Sequence, residues 1–244
     1  MSDLWYNIKR YGLFSAEETK YLVISILVLG LVVGYDDGRP VFNAALWSFN
    51  LLNSVLIVAL TILVNQIGHR IAALSIGLRA EFKIWYAGII FALIIAVVTR
   101  GKFWFLLVPG GIIVHHMMGH RMTYFRYGLN YWAIAMVATG GILANVMLAL
   151  FLKIIMATPL ANPLVEKALL VNIVYAFVNM LPIPPLDGSH LFFSSRATYS
   201  WVFGFVLGLC LLLYFTNFWL SLLGAVVIGT IVWIMFLYFI EVPG

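Results

Sequence analysis

Residues 63–74 read LVNQIGHRIAAL. An apolar run arrives at Asn65-Gln66-Ile67-Gly68-His69 and continues to Leu74. Two substitutions would turn the middle of this stretch into His-Glu-x-x-His on a helix. Residues i and i+4 share a helix face, which is how that pattern holds one zinc ion. The glutamate beside the first histidine then takes a proton from metal-bound water. Here Asn65 stands at the first ligand position and Gln66 at the base position. An amide oxygen is a poor zinc ligand, and glutamine accepts no proton at neutral pH. The frame is one that can hold a metal, and half of its chemistry is missing.

The surroundings decide the class. The chain has 244 residues, 64% hydrophobic and 9% charged, far less charge than a soluble domain carries. Apolar segments run over 21–35, 41–68, 84–99, 103–118, 131–157, 168–188, 199–216 and 218–240. Several are long enough to cross a bilayer. The composition predicts an all-α polytopic membrane protein with six to eight transmembrane segments, in a single membrane domain over 1–244. Segment 103–118 is short and holds Pro109-Gly110-Gly111. With 84–99 it forms an apolar hairpin over 84–118, read as helical and as re-entrant or broken rather than lipid-facing. The first twenty residues are polar and amphipathic, without a small-residue cleavage site, and are not read as a cleavable signal.

Basic residues lie at segment ends, which marks them as topology signals and argues against nucleic acid as partner. With the N-terminus inside, nine of them (Lys9, Arg10, Lys20, Arg70, Arg79, Lys83, Arg121, Arg126, Arg196) fall on the cytoplasmic side, and four (Arg39, Arg100, Lys102, Lys167) outside. That predicts both termini in the cytoplasm; the expected location is the plasma membrane of a prokaryote. The single cysteine, Cys210, excludes a disulfide framework and a cysteine-based metal site.

A second motif lies at 179–188, NMLPIPPLDG. Pro182, Pro184 and Pro185 forbid a regular helix. Irregular backbone at membrane depth must line a protected cavity. An aspartate at its end, Asp187, is costly there unless it is paired or holds a cation. Asn-x-x-Pro-x-Pro-x-Leu-Asp-Gly, with the His-Glu-x-x-His frame before it and Gly141-x-x-x-Asn145 between, resembles the site-2 protease family of intramembrane zinc metalloproteases.

The resemblance covers a core over about 41–216. It implies zinc as cofactor, with His69 and Asp187 as metal ligands and Asn65 at the position of the missing histidine. It puts Gln66 at the base position and has Asn145 facing the site to orient substrate. Asn179 and Pro182 would shape access to the aspartate. The family cleaves transmembrane segments of other proteins, which become the implied partners together with the lipid bilayer. The replacements at 65 and 66 point to a pseudoprotease that binds such segments or serves in a membrane complex. The alternative is an active zinc endopeptidase seen in a disabled form. A metal-handling transporter is a third reading. His116 and His120 have i, i+4 spacing and could serve a secondary metal site, although histidines at a helix end also suit the membrane interface. The bland reading of Asn65 and His69 is a hydrogen-bonded polar pair between packed helices. Asn43, Asn50 and Asn53 either line a polar cavity or bond between helices. Aromatic residues at segment ends, Trp5 and Tyr6 among them, read as interface anchors.

Overall fold

A computed structural model describes residues 2–116 and 131–241. Helix α1 (Ser2–Tyr11) precedes α2 (Ala16–Gly34) and the long α3 (Ala44–Ser75). Strand β1 (Leu78–Ile84), α4 (Tyr86–Val98) and β2 (Gly110–His116) follow. The chain continues with α5 (Tyr131–Met156), α6 (Pro163–Asn179), α7 (Asp187–Ser194), α8 (Arg196–Phe215) and α9 (Phe218–Phe236). Local chemistry sets the helix starts. Ser15 and Glu18 form a reciprocal capping box at α2. The side chains of Asn43, Asn162, Ser195 and Asn217 accept first-turn amides of α3, α6, α8 and α9. Each cap satisfies donors that lipid could not.

The all-α membrane class is what the structure shows. Of the apolar segments, α3, α5, α8 and the α9 region are helices long and apolar enough to span a bilayer. α3 lies between α2 and α5, with α6 packed on α3 and α5. Their shared core includes Leu29, Ile62, Ile142, Leu169 and Tyr175. α8 and α9 pack mainly on one another. Gly204, Gly208 and Gly229 face side chains across that contact, as small residues do between membrane helices.

The hairpin 84–118 differs from the helical reading. Its first half is helix α4, but 103–109 is irregular and 110–116 is strand β2, antiparallel to β1 with Ile84 opposite Gly110 and Leu78 opposite His116. The reason is local. Pro109-Gly110-Gly111 cannot propagate a helix, and β-branched Ile112, Ile113 and Val114 suit a strand. The two glycines also permit two close approaches. A Cβ at Gly110 would meet the carbonyl oxygen of Lys83, and one at Gly111 that of Pro185. β2 is thereby pressed against the proline loop that precedes Asp187.

Candidate active site

Helix α3 brings Asn65, Gln66 and His69 into the interior; α5 brings Gly141 and Asn145; α7 begins at Asp187. α3 and α5 run antiparallel in direct contact. A Cβ at Gly68 would meet Gly140 and Ala144, and one at Gly140 would meet Ala72 and Gly68. Gly141 lies against the His69 ring and the Asn65 amide. Asn145, one turn further along α5, shares the face of Gly141. The break after α6 is equally tight. A Cβ at Gly188 would strike the carbonyl of Met180, so the Asp-Gly pair needs glycine in second place. The loop is further held by the Tyr199 hydroxyl, which donates to Met180 O at 3.0 Å.

These elements converge. His69 Nε2 lies 3.2 Å from Asp187 Oδ2, and both residues are almost fully buried, at 1% and 3% exposure. His69 Nδ1 is 2.9 Å from the carbonyl oxygen of Val137. A carbonyl only accepts, so Nδ1 carries a proton and Nε2 is the atom turned to the carboxylate. In neutral histidine that nitrogen is an acceptor. Two acceptors 3.2 Å apart need a proton or a cation between them. The pair is at ion-pair distance, yet Asp187 Oδ2 has no partner in hydrogen-bond geometry, which marks an unsaturated acceptor.

Asn65 occupies the third position around this pair. Its Oδ1 accepts from Gln66 Nε2 at 3.1 Å and from the Tyr175 hydroxyl at 3.4 Å, while its Nδ2 has no partner. Asn145 is fully buried, and both polar atoms of its side chain lack partners. Its backbone carbonyl accepts from Asn172 Nδ2 at 2.7 Å. Asn179 is buried and donates to Tyr175 O at 3.2 Å, so it braces α6 near the proline loop.

The structure therefore brings His69 to Asp187 and sets Asn65 beside the His69 ring around Gly141, with Gln66 bonded to Asn65; Asn145 is buried on the Gly141 face of α5. It does not bring the secondary histidines to them. His116 ends β2 opposite Leu78, with no side chain described, and His120 lies outside the described residues. Among the described residues, no group of three or more His, Cys, Asp or Glu side chains could hold a metal. His69 and Asp187 fit zinc as two ligands. Asn65 and Gln66 do not complete a catalytic zinc site, which takes three good protein ligands and keeps one position open.

Sequence reading overlooked Asn172 and Tyr175. A signal existed: residues 172, 175 and 179 are polar or amphipathic at i, i+3 and i+7 and share one face of α6. His190 is half-buried with Nε2 unpartnered. Asn43 proves to be a helix cap. Asn50 bonds between helices, donating to Gly34 O at 3.1 Å and accepting from Lys167 Nζ at 2.9 Å.

No family model matches the chain, and no solved structure matches it. Among curated proteins it is similar to the "Putative zinc metalloprotease MJ0611" of Methanocaldococcus jannaschii. The two are 28% identical over 179 residues, which cover 72% of this chain and 83% of that protein. The chain is a metalloprotease-like membrane protein. By this likeness zinc is the cofactor to test.

Packing gives this candidate site a sharp test. Gly141→Val places branched carbon where the His69 ring and Asn65 amide already lie. Overpacking of this kind costs about 1–3 kcal/mol. Thermal unfolding in detergent should show it, while Leu143→Val on the exposed face of α5 should leave the midpoint unchanged.

Proposed function

We propose that the chain is a catalytically silent relative of the site-2 protease family, whose pocket holds a membrane-spanning segment of another protein without cutting it. One observation carries this reading: Asn65 stands buried beside the His69 ring of a convergent His69–Asp187 pair, with the buried Gln66 bonded to it. On this reading the frame of a metal site is kept while one ligand and the base are replaced by amides. Asn65 is a weak ligand beside an imidazole and a carboxylate. Gln66 cannot take a proton from an attacking water. The unpartnered amide atoms of Asn65 and Asn145 are groups that a guest segment's main chain would satisfy. Such a protein would act as a chaperone, regulator or subunit in a membrane complex, in a prokaryotic plasma membrane with both termini cytoplasmic.

Zinc per chain, measured by elemental mass spectrometry after a mild chelator wash, tests the silent half of the proposal. The expected value is well below one. A value near one would mean that His69 and Asp187 still retain the metal, and hydrolysis would become the leading reading. A photo-crosslinker on a membrane partner tests the other half. Full-length adducts are expected; a specific cleavage product would overturn the proposal.

A second reading has its own support. The His69 tautomer and the unsaturated Asp187 oxygen are what two zinc ligands require. The chain would then be the disabled form of an active intramembrane zinc endopeptidase.

A further inference from the structure

Helix α1 is docked rather than loose. Asn7 is buried, α1 contacts α3, and Arg70 fixes the turn that follows. Its Nη1 donates to Leu13 O at 3.0 Å, and its guanidinium lies 4.0 Å over the Phe14 ring. The level of α1 follows from its neighbours. α3 has 32 residues, about 48 Å of helix against a hydrocarbon core of roughly 30 Å, so it projects beyond the core. Glu17, Glu18 and Lys20 open α2 before its apolar run begins. α1 therefore lies where apolar sequence gives way to charge, at the membrane–water boundary.

Its outward face is specific in kind. Trp5, Tyr6, Lys9 and Arg10 are all exposed. Lys9 Nζ lies 5.5 Å over the Trp5 ring, and Arg10 lies 6.0 Å over Tyr6 and 5.5 Å over Tyr11. Neither cation has a carboxylate partner among the described side chains. Leu13, just past the helix, is 83% exposed. Cations without a carboxylate partner among the described side chains, one of them donating to the Tyr6 hydroxyl, beside exposed indole and phenol rings and a bare leucine at the end, match the headgroup zone of an anionic bilayer. A site for a free anion would have no use for the apolar groups.

We infer that α1 is an in-plane anchor whose Lys9–Arg10 face binds the phosphate headgroups of anionic phospholipids. Through Arg70, the residue after His69, it fixes the projecting end of α3 relative to the membrane surface. This inference stands apart from the proposed function, since it uses no residue of the pocket.

The test is lipid selectivity at Leu13. A Leu13→Cys, Cys210→Ala chain carries an environment-sensitive dye and is placed in nanodiscs of phosphatidylcholine with phosphatidylglycerol. Brominated acyl chains are put on one lipid or the other. Brominated phosphatidylglycerol should quench the dye more than brominated phosphatidylcholine at equal fraction, since each cation near an anionic surface contributes roughly fivefold in preference. Adding Lys9→Glu and Arg10→Glu should remove the difference without changing the melting temperature. Inorganic phosphate at high concentration should not remove it beyond the effect of equal ionic strength. Equal quenching by both lipids would overturn the inference. So would no quenching by either, a preference surviving charge reversal, or competition specific to free phosphate.

Discussion

Asn65→His with Gln66→Glu should convert a chain that purifies with little zinc into one carrying close to one zinc per molecule. The geometry for this is already present. His69 Nε2 and Asp187 Oδ2 converge at 3.2 Å, and Val137 holds the His69 ring in the ligating tautomer. Position 65 is one helical turn before His69, on the same face. Adding an imidazole there should raise zinc affinity roughly a hundredfold or more, since even groups behind the ligands are worth 10- to 100-fold. The single variants separate the parts. Asn65→His alone should gain zinc without turnover. Gln66→Glu alone should gain neither. Asp187→Asn in the double variant should lose the metal again. If the pocket is an enzyme's, the glutamate should then add about 10²- to 10⁴-fold in cleavage rate of a membrane substrate over Asn65→His. Zinc bound without cleavage of any membrane substrate would favour the silent reading. No zinc in the double variant would remove the metal-site origin of the pocket altogether.

The helices and the site were legible for different reasons. Long apolar segments announce spanning helices because lipid leaves the backbone no other way to satisfy itself. The proline loop before Asp187 was legible because proline cannot continue a helix. The i, i+4 spacing placed His69 and Asn65 on one face, as found. The strand β2 was misread because hydropathy is blind to pairing: Gly110–His116 is as apolar as a helix, and only its register with Leu78–Ile84 makes it a strand. Asn172 and Tyr175 were missed because their partners are 27 and 110 residues away. Their value lies in those contacts, not in a local motif. The Val137 carbonyl that orients His69 is backbone, so no side-chain pattern could have named it.

Arg70→Leu should destabilise the fold strongly without touching the candidate site. Glu18 is buried and collects three elements. It accepts from Arg70 Nη2 at the end of α3, from Phe82 N in β1 at 3.0 Å and from Ser15 N at the start of α2 at 2.8 Å. A leucine at 70 leaves this carboxylate buried without its cation and leaves Leu13 O without its donor. Breaking a buried pair from one side costs about 3–5 kcal/mol, and for a chain of this size that corresponds to a melting temperature lower by roughly 10 °C. Glu18→Gln should cost less, because the glutamine oxygen still accepts from Phe82 and the guanidinium keeps Phe14 and Leu13. The double variant Glu18→Gln, Arg70→Leu should recover a large part of the Arg70→Leu loss, giving a clear coupling in a double-mutant cycle. Strictly additive losses would mean that Arg70 acts only through its stacking on Phe14 and its bond to Leu13. Coupling as expected would identify the Glu18 carboxylate as the joint that holds β1, and with it β2 and the proline loop, against the end of α3 that bears His69.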